Sequence, residues 1–283
     1  MKVNRLMAVA LGAALVVASS CAQDDAVNLS NSVPSEVLSA LDAAGFNSAD
    51  VVNFHEADPI AGERKGYMLG GDIFLSEEQV FDLQNSQVIP GAEQYRTTNL
   101  VSSPRTISVC GLSGYGGGYD LTTVMRQGLQ YAVDNYNALN IGLNFTLTFT
   151  SNFSNYDITV YNNQQSGAGG SAGFPTSSGN PYNFVQILAG MNNYSNQVNE
   201  HVMTHEIGHC VGFRHTDYFN RSISCGSGGN EGSSGVGAIH IPGTQTGASN
   251  YSIMLACFNS SSIDSSTKGE FSNEDKTALN YMY

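Results

Sequence analysis

The chain has 283 residues and a formal net charge of −13, and its length allows one large domain or two modest ones. The negative balance argues against a duplex nucleic-acid binder, because such proteins need a basic surface to displace counterions. Charged residues make up 12% of the chain, against about 25% in an average soluble protein. The composition therefore indicates an exported protein that meets solvent mainly through amide and hydroxyl groups.

A short leader precedes the folded part of the chain. Two basic residues and an apolar run over residues 6–18 have the layout of a secretory signal peptide, and the run is too short for an ordinary membrane-spanning helix. The sequence ASSC at residues 18–21 resembles a bacterial lipobox, in which the first residue is usually Leu. The resemblance implies removal of residues 1–20 and acylation of Cys21, giving an exported lipoprotein on the outer membrane or surface of a bacterium. Plain secretion after cleavage near Cys21 is the alternative.

Residues 21–105 are predicted to form a tether followed by a latency segment. Periodicity, turn residues and caps predict three local elements, which are a helix over 34–44, a strand or hairpin over 67–74, and a short helix over 76–83. The hairpin would turn through Gly70-Gly71. Residues 84–105 are polar and interrupted by Pro and Gly, as is typical of a linker, and a cut there would separate the two parts of the chain.

Residues 106–283 are predicted to form one α+β domain. The expected strands lie at 106–110, 145–149, 156–161 and 184–188, and the expected helices at 121–139, 196–210 and 272–281. This order predicts a twisted mixed sheet packed on two long helices, followed by an irregular C-terminal subdomain.

Four cysteines lie beyond the leader, namely Cys110, Cys210, Cys225 and Cys257. An even number in an exported chain predicts two disulfides, and three pairings are possible. A bond between Cys225 and Cys257 would tie together loops that follow the main motif, but the spacing alone does not select it.

The main motif is H-E-x-x-H-x-x-G-x-x-H, which runs from His205 to His215. His205 and His209 share one helical face, so both imidazoles can bind one zinc ion at about 2.0–2.1 Å. Gly212 can end the helix in the left-handed conformation, and the chain then turns back to bring His215 to the third ligand position. The fourth position stays open for a water whose pKa zinc lowers toward about 7. Glu206 can accept the proton of that water.

The motif resembles that of metzincin metalloproteases, and the literal string HEIGH resembles the dual-action HEIGH metallopeptidases of bacteria. This resemblance implies a metzincin-like fold, one catalytic zinc ion and hydrolysis of peptide bonds. Metzincins also carry a Met-turn, and Ser252-Ile253-Met254 is similar to the Ser-Ile-Met turn of astacins. Met254 is therefore the candidate for an apolar floor beneath the zinc ligands. Astacins often place a Tyr after this Met, whereas here Tyr251 precedes it.

A second resemblance concerns latency. Leu69-Gly70-Gly71-Asp72 resembles the F-x-G-D motif of astacin propeptides, with Leu in place of Phe. In that family the Asp occupies the open zinc position, which implies that Asp72 is an inhibitory metal ligand and that a cut within 84–105 activates the enzyme. The alternative is an ordinary Asp in a Gly-Gly hairpin.

The remaining histidines are given other roles. His201 precedes His205 by one turn, so His201, His205 and His209 could form an alternative set of ligands. On a straight helix, however, one of these three side chains would lie too far from a single metal ion. We therefore expect His201 at the surface or behind the ligands. His240 is interpreted as structural, with a substrate-side role left open, and His55 is expected to face solvent.

These observations predict a zinc-dependent endopeptidase made as a latent, lipid-anchored precursor. It would act as a monomer on protein or peptide substrates, with Glu206 as general base, and would not bind nucleic acid. An edge strand, for which 184–188 is the candidate, would pair with extended substrate. The scarcity of positive charge favours an apolar or aromatic residue after the scissile bond. Two alternatives stay open, a zinc-containing adhesion lipoprotein without protease activity and a zinc hydrolase of a non-peptide substrate.

Overall fold

The computed structural model describes residues 33–43, 48–81, 94–232, 237–245, 247–259 and 269–283. The predicted signal peptide, Cys21 and residues 84–93 of the predicted linker lie outside the described residues. Within the described ranges, no helix combines the length and the apolar character that a bilayer-spanning helix needs.

The N-terminal part is a three-stranded antiparallel sheet with two short helices. Its elements are α1 (Ser35–Ala43), β1 (Val51–Asp58), β2 (Gly62–Leu69), β3 (Ile73–Ser76) and α2 (Glu77–Phe81), and the strands lie in chain order. The predicted hairpin is confirmed, because Leu69 pairs with Ile73 across two glycines at positive φ. Ser76 caps α2, since its Oγ accepts a hydrogen bond from the backbone N–H of Gln79 at 3.2 Å.

The second part contains a five-stranded mixed sheet and both long helices. Its elements are β4 (Tyr95–Arg96), β5 (Arg105–Leu112), α3 (Thr123–Asn137), β6 (Leu143–Thr150), β7 (Ile158–Asn162), β8 (Gly170–Ser171), β9 (Phe184–Ile187), α4 (Asn196–Cys210), α5 (Ser222–Cys225), β10 (Ile239–His240) and α6 (Asn273–Met282). The strand order is β6-β5-β7-β9-β8, and only β8 is antiparallel to its neighbour. The predicted α+β class, the mixed sheet and the irregular C-terminal region are confirmed.

The two long helices approach each other very closely. A Cβ added to Gly128 of α3 would lie 2.5 Å from the Cβ of Asn199 in α4, so the absent side chain allows this crossing. The Tyr136 hydroxyl of α3 donates a hydrogen bond to the carbonyl of Thr204 at 2.9 Å. The buried apolar face of α3 comprises Met125, Leu129, Ala132, Val133 and Tyr136. Helix α4 is thereby held against a rigid neighbour.

The edge of the main sheet differs from the prediction. Residues 184–188 are not an edge strand, because β9 lies between β7 and β8. Strand order depends on contacts that are distant in the chain, so the strand pattern alone could not identify the edge. The edge strands are β6 and β8, and the N-terminal hairpin already extends the sheet next to β8. Phe74 donates from its backbone N–H to the carbonyl of Ala172, and Ala172 donates to the carbonyl of Asp72, both at 3.1 Å.

Part of the predicted linker is packed into the second part of the molecule. Gln94, Tyr95, Thr97 and Val101 are buried. Strand β4 pairs with β10, and the backbone N–H of Thr97 donates to the carbonyl of Gly212 at 2.8 Å. The described part of the predicted linker thus contributes to the packing of the second part, although residues 102–104 are exposed.

The cysteines form one disulfide among the described residues, between Cys225 and Cys257. The prediction of a second one is wrong, because Cys110 and Cys210 are buried free thiols. Burial raises the pKa of Cys110 to about 11 and that of Cys210 well above its usual range, so both stay protonated and behave as small apolar side chains.

Candidate metal centre

Helix α4 positions the first two histidines of the motif. Ser195 caps its N-terminus, with its Oγ accepting a hydrogen bond from the backbone N–H of Val198 at 3.3 Å. Every residue from Val198 to Cys210 is buried. Because a helix turns once in 3.6 residues, His205 and His209 project from the same face into the protein interior.

The chain then reverses to bring in the third histidine. Helix α4 ends at Cys210, and Gly212 adopts a φ of +106°, a conformation that favours glycine. A Cβ on Gly212 would also lie 2.7 Å from the side chain of Leu100. Glycine is thus required at this position both for the turn and for the close packing, and the turn directs His215 back toward α4.

The three histidines form one triangle. The Nε2 atoms of His205, His209 and His215 are each 3.1 Å from the other two, and all three residues are buried. One ion at about 2.0–2.1 Å from each nitrogen, the usual zinc distance, fits over a triangle of this size. A set of three imidazoles also matches the protein donor set of some catalytic zinc sites.

The second nitrogen of each imidazole is held by an acceptor. The Nδ1 contacts are His205 to the carbonyl of Ile253 at 2.7 Å, His209 to the carbonyl of Phe213 at 2.9 Å, and His215 to Oε1 of Glu231 at 2.5 Å. With the proton on Nδ1 donated outward, each Nε2 presents its lone pair to the centre of the triangle. Burial lowers the pKa of all three imidazoles, so they are neutral and ready to bind a metal.

Glu231 is a functional residue that the sequence motif did not identify. Its carboxylate is buried, contacts His215, and also lies 3.4 Å from Nη2 of Arg214. Arg214 is fully buried and donates to the carbonyls of Gly237 and Gly232 at 2.6 and 3.0 Å. Glu231 follows a stretch rich in Gly and Ser, and nothing in its neighbourhood marks it as a partner of the motif.

We expect Glu231→Gln to weaken zinc binding by about 10- to 100-fold, the range found when partners of metal-binding histidines are replaced. The neutral amide accepts a weaker hydrogen bond from His215 and removes a negative charge beside the ligand. Competition with a chromophoric chelator measures the affinity. Glu78→Gln, at an exposed position of α2, is the matched control. Equal zinc affinity in the two variants would show that Glu231 does not support the site.

Glu206 lies beside the triangle with one oxygen unpartnered. Its side chain is buried, and its Oε2 has no hydrogen-bond partner among the described residues. Burial, reinforced by the negative charge of Asp72, raises the pKa of Glu206 well above its usual range. A cation bound in the triangle would oppose this shift. A Cβ on Gly170 would come within 2.8 Å of the Glu206 carboxyl, so the glycine of β8 leaves room for this side chain.

Met254 lies beneath helix α4, where Gly208 leaves space for it. A Cβ on Gly208 would be 2.7 Å from the Met254 sulfur, which explains the glycine inside the HEIGH string. Asp275 of α6 holds this turn, accepting hydrogen bonds from the Ser252 hydroxyl at 2.5 Å and the Ile253 backbone N–H at 3.0 Å. The turn formed by Ser252, Ile253 and Met254 therefore carries the carbonyl that orients His205.

Asp72 reaches the site from the N-terminal hairpin. Its Oδ2 is 3.4 Å from Nε2 of His215, and its two oxygens accept hydrogen bonds from Arg221 at 3.2 and 3.3 Å. The structure thus brings Asp72 to the histidine triangle, although the two lie far apart in the sequence. Arg221 was not singled out by the sequence, because it lies outside the motif in an irregular segment.

The other histidines lie apart from the triangle. His201 is buried against the Phe258 ring, with ring centroids 4.4 Å apart. Of its two expected positions, the surface is therefore wrong, and a place behind the ligands is compatible with the structure. The structure groups only the three motif histidines as a metal cluster within its described ranges. His240 lies in β10 with its Nε2 3.3 Å from the Thr244 hydroxyl. His55 is exposed as expected, next to Glu63.

The site opens into a cavity of about 320 Å³. Its wall includes His205, Glu206, Asp72 and Arg221, together with the backbone of Gly169-Gly170 at the sheet edge. Three imidazoles that could hold an electrophilic ion and a buried carboxyl group with a free oxygen are groups suited to the hydrolysis of an amide. The sheet edge can pair with an extended chain.

One protein family matches most of the chain. Residues 67–283 match the family described as dual-action HEIGH metallo-peptidase. No curated protein matches the chain at a significant level. Among solved structures, one of myroilysin is 18% identical, covers 64% of this chain and 94% of that chain, and has a TM-score of 0.37. A crystal structure of myroilysin is 16% identical, covers 66% of this chain and 87% of that chain, and has a TM-score of 0.37. The assignment of the chain to a family rests on the family match, which spans most of the chain.

Proposed function

Because this chain belongs to the dual-action HEIGH metallopeptidase family, we propose that it is a zinc-dependent endopeptidase with Glu206 as its general base. One observation carries the proposal, namely the triangle of three Nε2 atoms spaced 3.1 Å apart beside an unpartnered carboxyl oxygen. The intact Glu206 disfavours an adhesion protein with an inactive site, since a purely structural metal has no use for a free buried carboxyl group.

Different residues of the chain have different roles in the proposed hydrolysis. When bound by His205, His209 and His215, zinc supplies Lewis acidity that polarises the scissile carbonyl and lowers the pKa of water. Glu206 accepts the proton of the attacking water at Oε2 and delivers it to the leaving amine. Strand β8 aligns the extended substrate through backbone hydrogen bonds. The acceptors on Nδ1, above all Glu231, hold the imidazoles in place.

The full chain is proposed to be a latent precursor. The N-terminal hairpin occupies the sheet edge at Ala172 and carries Asp72 to the histidine triangle. A substrate would have to bind at the same sheet edge and next to the same histidine triangle. Substrate and hairpin therefore compete for these two positions. A carboxylate oxygen is also a competent zinc ligand, which makes Asp72 the inhibitory ligand. Cleavage within 84–93 would let the hairpin leave.

Export and lipid anchoring at Cys21 are part of the same proposal. They place the precursor on the outer membrane or cell surface as a monomer, and cleavage of the linker would free the catalytic part from its anchor. The leader and the ASSC sequence at residues 18–21 support this location. Mass spectrometry of the mature protein that finds Cys21 unmodified would contradict the anchor.

Hydrolysis of a mixed peptide library tests the proposed activity. The full chain, with a site-specific protease sequence placed in residues 84–93 and cut, is expected to cleave internal peptide bonds. A chelator should abolish cleavage and added zinc should restore it. A cut chain that carries one zinc ion but cleaves no peptide would contradict the proposal and favour a hydrolase of non-peptide substrates or a binding protein.

A further inference from the structure

The cavity beside the metal centre contains one guanidinium group, that of Arg221. A carboxylate of the chain itself, that of Asp72, binds to this group. Nη1 and Nη2 of Arg221 donate to the two oxygens of Asp72 at 3.2 and 3.3 Å. Nη1 also lies 3.3 Å from Oε1 of Glu231. The planar fork of arginine fits a carboxylate through two parallel hydrogen bonds. The Arg221 side chain is only 8% exposed, so little water shares these contacts.

Arg221 is anchored by the second part of the molecule. Its backbone N–H donates to the carbonyl of Gly229, and its own carbonyl accepts from Cys225, both at 2.9 Å. Cys225 is in turn bonded to Cys257. None of these contacts involves the N-terminal hairpin. The guanidinium group is therefore expected to stay at the cavity after the hairpin leaves, still facing Glu231 on one side.

The hairpin is shaped around this guanidinium group. Gly70 has a φ of +60°, and a Cβ there would lie 1.5 Å from Nη1 of Arg221. The backbone of the hairpin thus passes where no side chain could fit, and it delivers the Asp72 carboxylate to both Arg221 and His215. Asp72 contacts the histidine triangle through His215. The place beside Arg221 where its carboxylate lies, called here the carboxylate pocket, is therefore next to the position of the scissile bond.

Withdrawal of the hairpin would remove the Asp72 carboxylate from Arg221 and open the guanidinium group to the cavity. Nη2 of Arg221 would then lack its charged partner, and a carboxylate is the group that the free donors of the arginine fork match. Of the described residues that line the cavity, Arg221 alone is a lysine or arginine. The surrounding wall is largely apolar or glycine, including Leu188, Met191 and Val202. A substrate carboxylate is the group that restores the lost contacts.

We infer that Arg221 is a specificity-determining residue that binds an aspartate or glutamate side chain next to the scissile bond, and that Asp72 is the internal mimic of that side chain. This inference rests on the proposed function and adds its substrate class. It replaces the apolar or aromatic preference expected from the overall charge. The net charge of the whole chain does not reveal that one buried arginine side chain lines the site.

Matched peptides that differ only by Asp or Asn at each position flanking the scissile bond test the inference. The protein is the full chain with Asp72→Ala and the cut linker. At one position, kcat/KM for the Asp peptide is expected to exceed that for the Asn peptide by about 10- to 100-fold, mainly through KM, as charge-assisted bidentate hydrogen bonds imply. Arg221→Gln should bring the ratio close to one, and Arg221→Lys should retain an intermediate ratio.

Arg126→Gln in α3 is the matched control and should keep the parent ratio, since Arg126 does not line the cavity. Zinc content and thermal unfolding establish that each variant is folded. An Asp to Asn ratio below about twofold in the parent, or the same ratio with and without Arg221, would overturn the inference while leaving the protease proposal intact.

A binding measurement separates failure of the inference from failure of the proposed activity. In the zinc-loaded Glu206→Gln background, dissociation constants of labelled peptides should show the same preference for Asp, and Arg221→Gln should abolish it. This result supports the carboxylate pocket even where no peptide is cleaved. Equal affinity for the Asp and Asn peptides in that background would overturn it.

Discussion

Replacement of Glu206 by Gln is expected to lower kcat/KM for peptide hydrolysis by about 10²- to 10⁴-fold, the usual contribution of a general base. Gln has the same shape and the same number of heavy atoms, so it fits the space that Gly170 leaves open. It cannot accept the proton of the attacking water, however. Because Glu206 is not one of the three imidazole ligands, zinc binding should persist.

Rates on a peptide substrate and zinc content per chain check this prediction together. Glu200→Gln is the matched control, since Glu200 is a buried glutamate of the same helix that contacts Asn135 instead of the site. Its activity should stay within a few-fold of the parent. A Glu206→Gln chain that retains both zinc and the parent activity would remove the general base from the mechanism.

The second large effect concerns latency. In the uncut chain, Asp72→Ala is expected to raise peptidase activity by about 10- to 100-fold. Each hydrogen bond to a charged group contributes about 1.5–3 kcal/mol, and a loss of 1.4 kcal/mol shifts the balance between the closed and open states tenfold. The backbone bonds at Ala172 remain, so the hairpin is weakened rather than released.

Initial rates, with electrophoresis to establish that the linker is intact, measure this gain. Asp42→Ala, an exposed position in α1, is the matched control and should leave the chain as inactive as wild type. An Asp72→Ala chain that stays as inactive as the uncut wild type would mean that Asp72 is an ordinary residue of a Gly-Gly turn.

Local features of the molecule follow from the sequence because they depend on local geometry. Two histidines four residues apart share a helical face wherever the helix lies, and Gly212 marks its end. The apolar face of α3 and the Ser272 cap of α6 likewise depend on residues that are close in the chain. Gly208, the glycine inside the HEIGH string, lies where the Met254 side chain approaches the helix closely.

Features that depend on distant contacts were missed or wrong. Strand β1 carries polar residues on a part-exposed sheet and shows no clear alternation. All five residues of strand β7 are buried, because Val160 packs in the main core while Tyr161 packs against Ile60 of the N-terminal part. Glu231 and Arg221 meet the motif only through tertiary contacts, so no spacing rule could have identified them.

Crystallography of the uncut full chain grown with zinc, using anomalous scattering at the zinc edge, would locate the metal directly. We predict one strong peak at about 2.0–2.1 Å from Nε2 of His205, His209 and His215, with the Asp72 carboxylate as the fourth ligand. A peak at other side chains, or a chain that binds no zinc at this triangle, would contradict it.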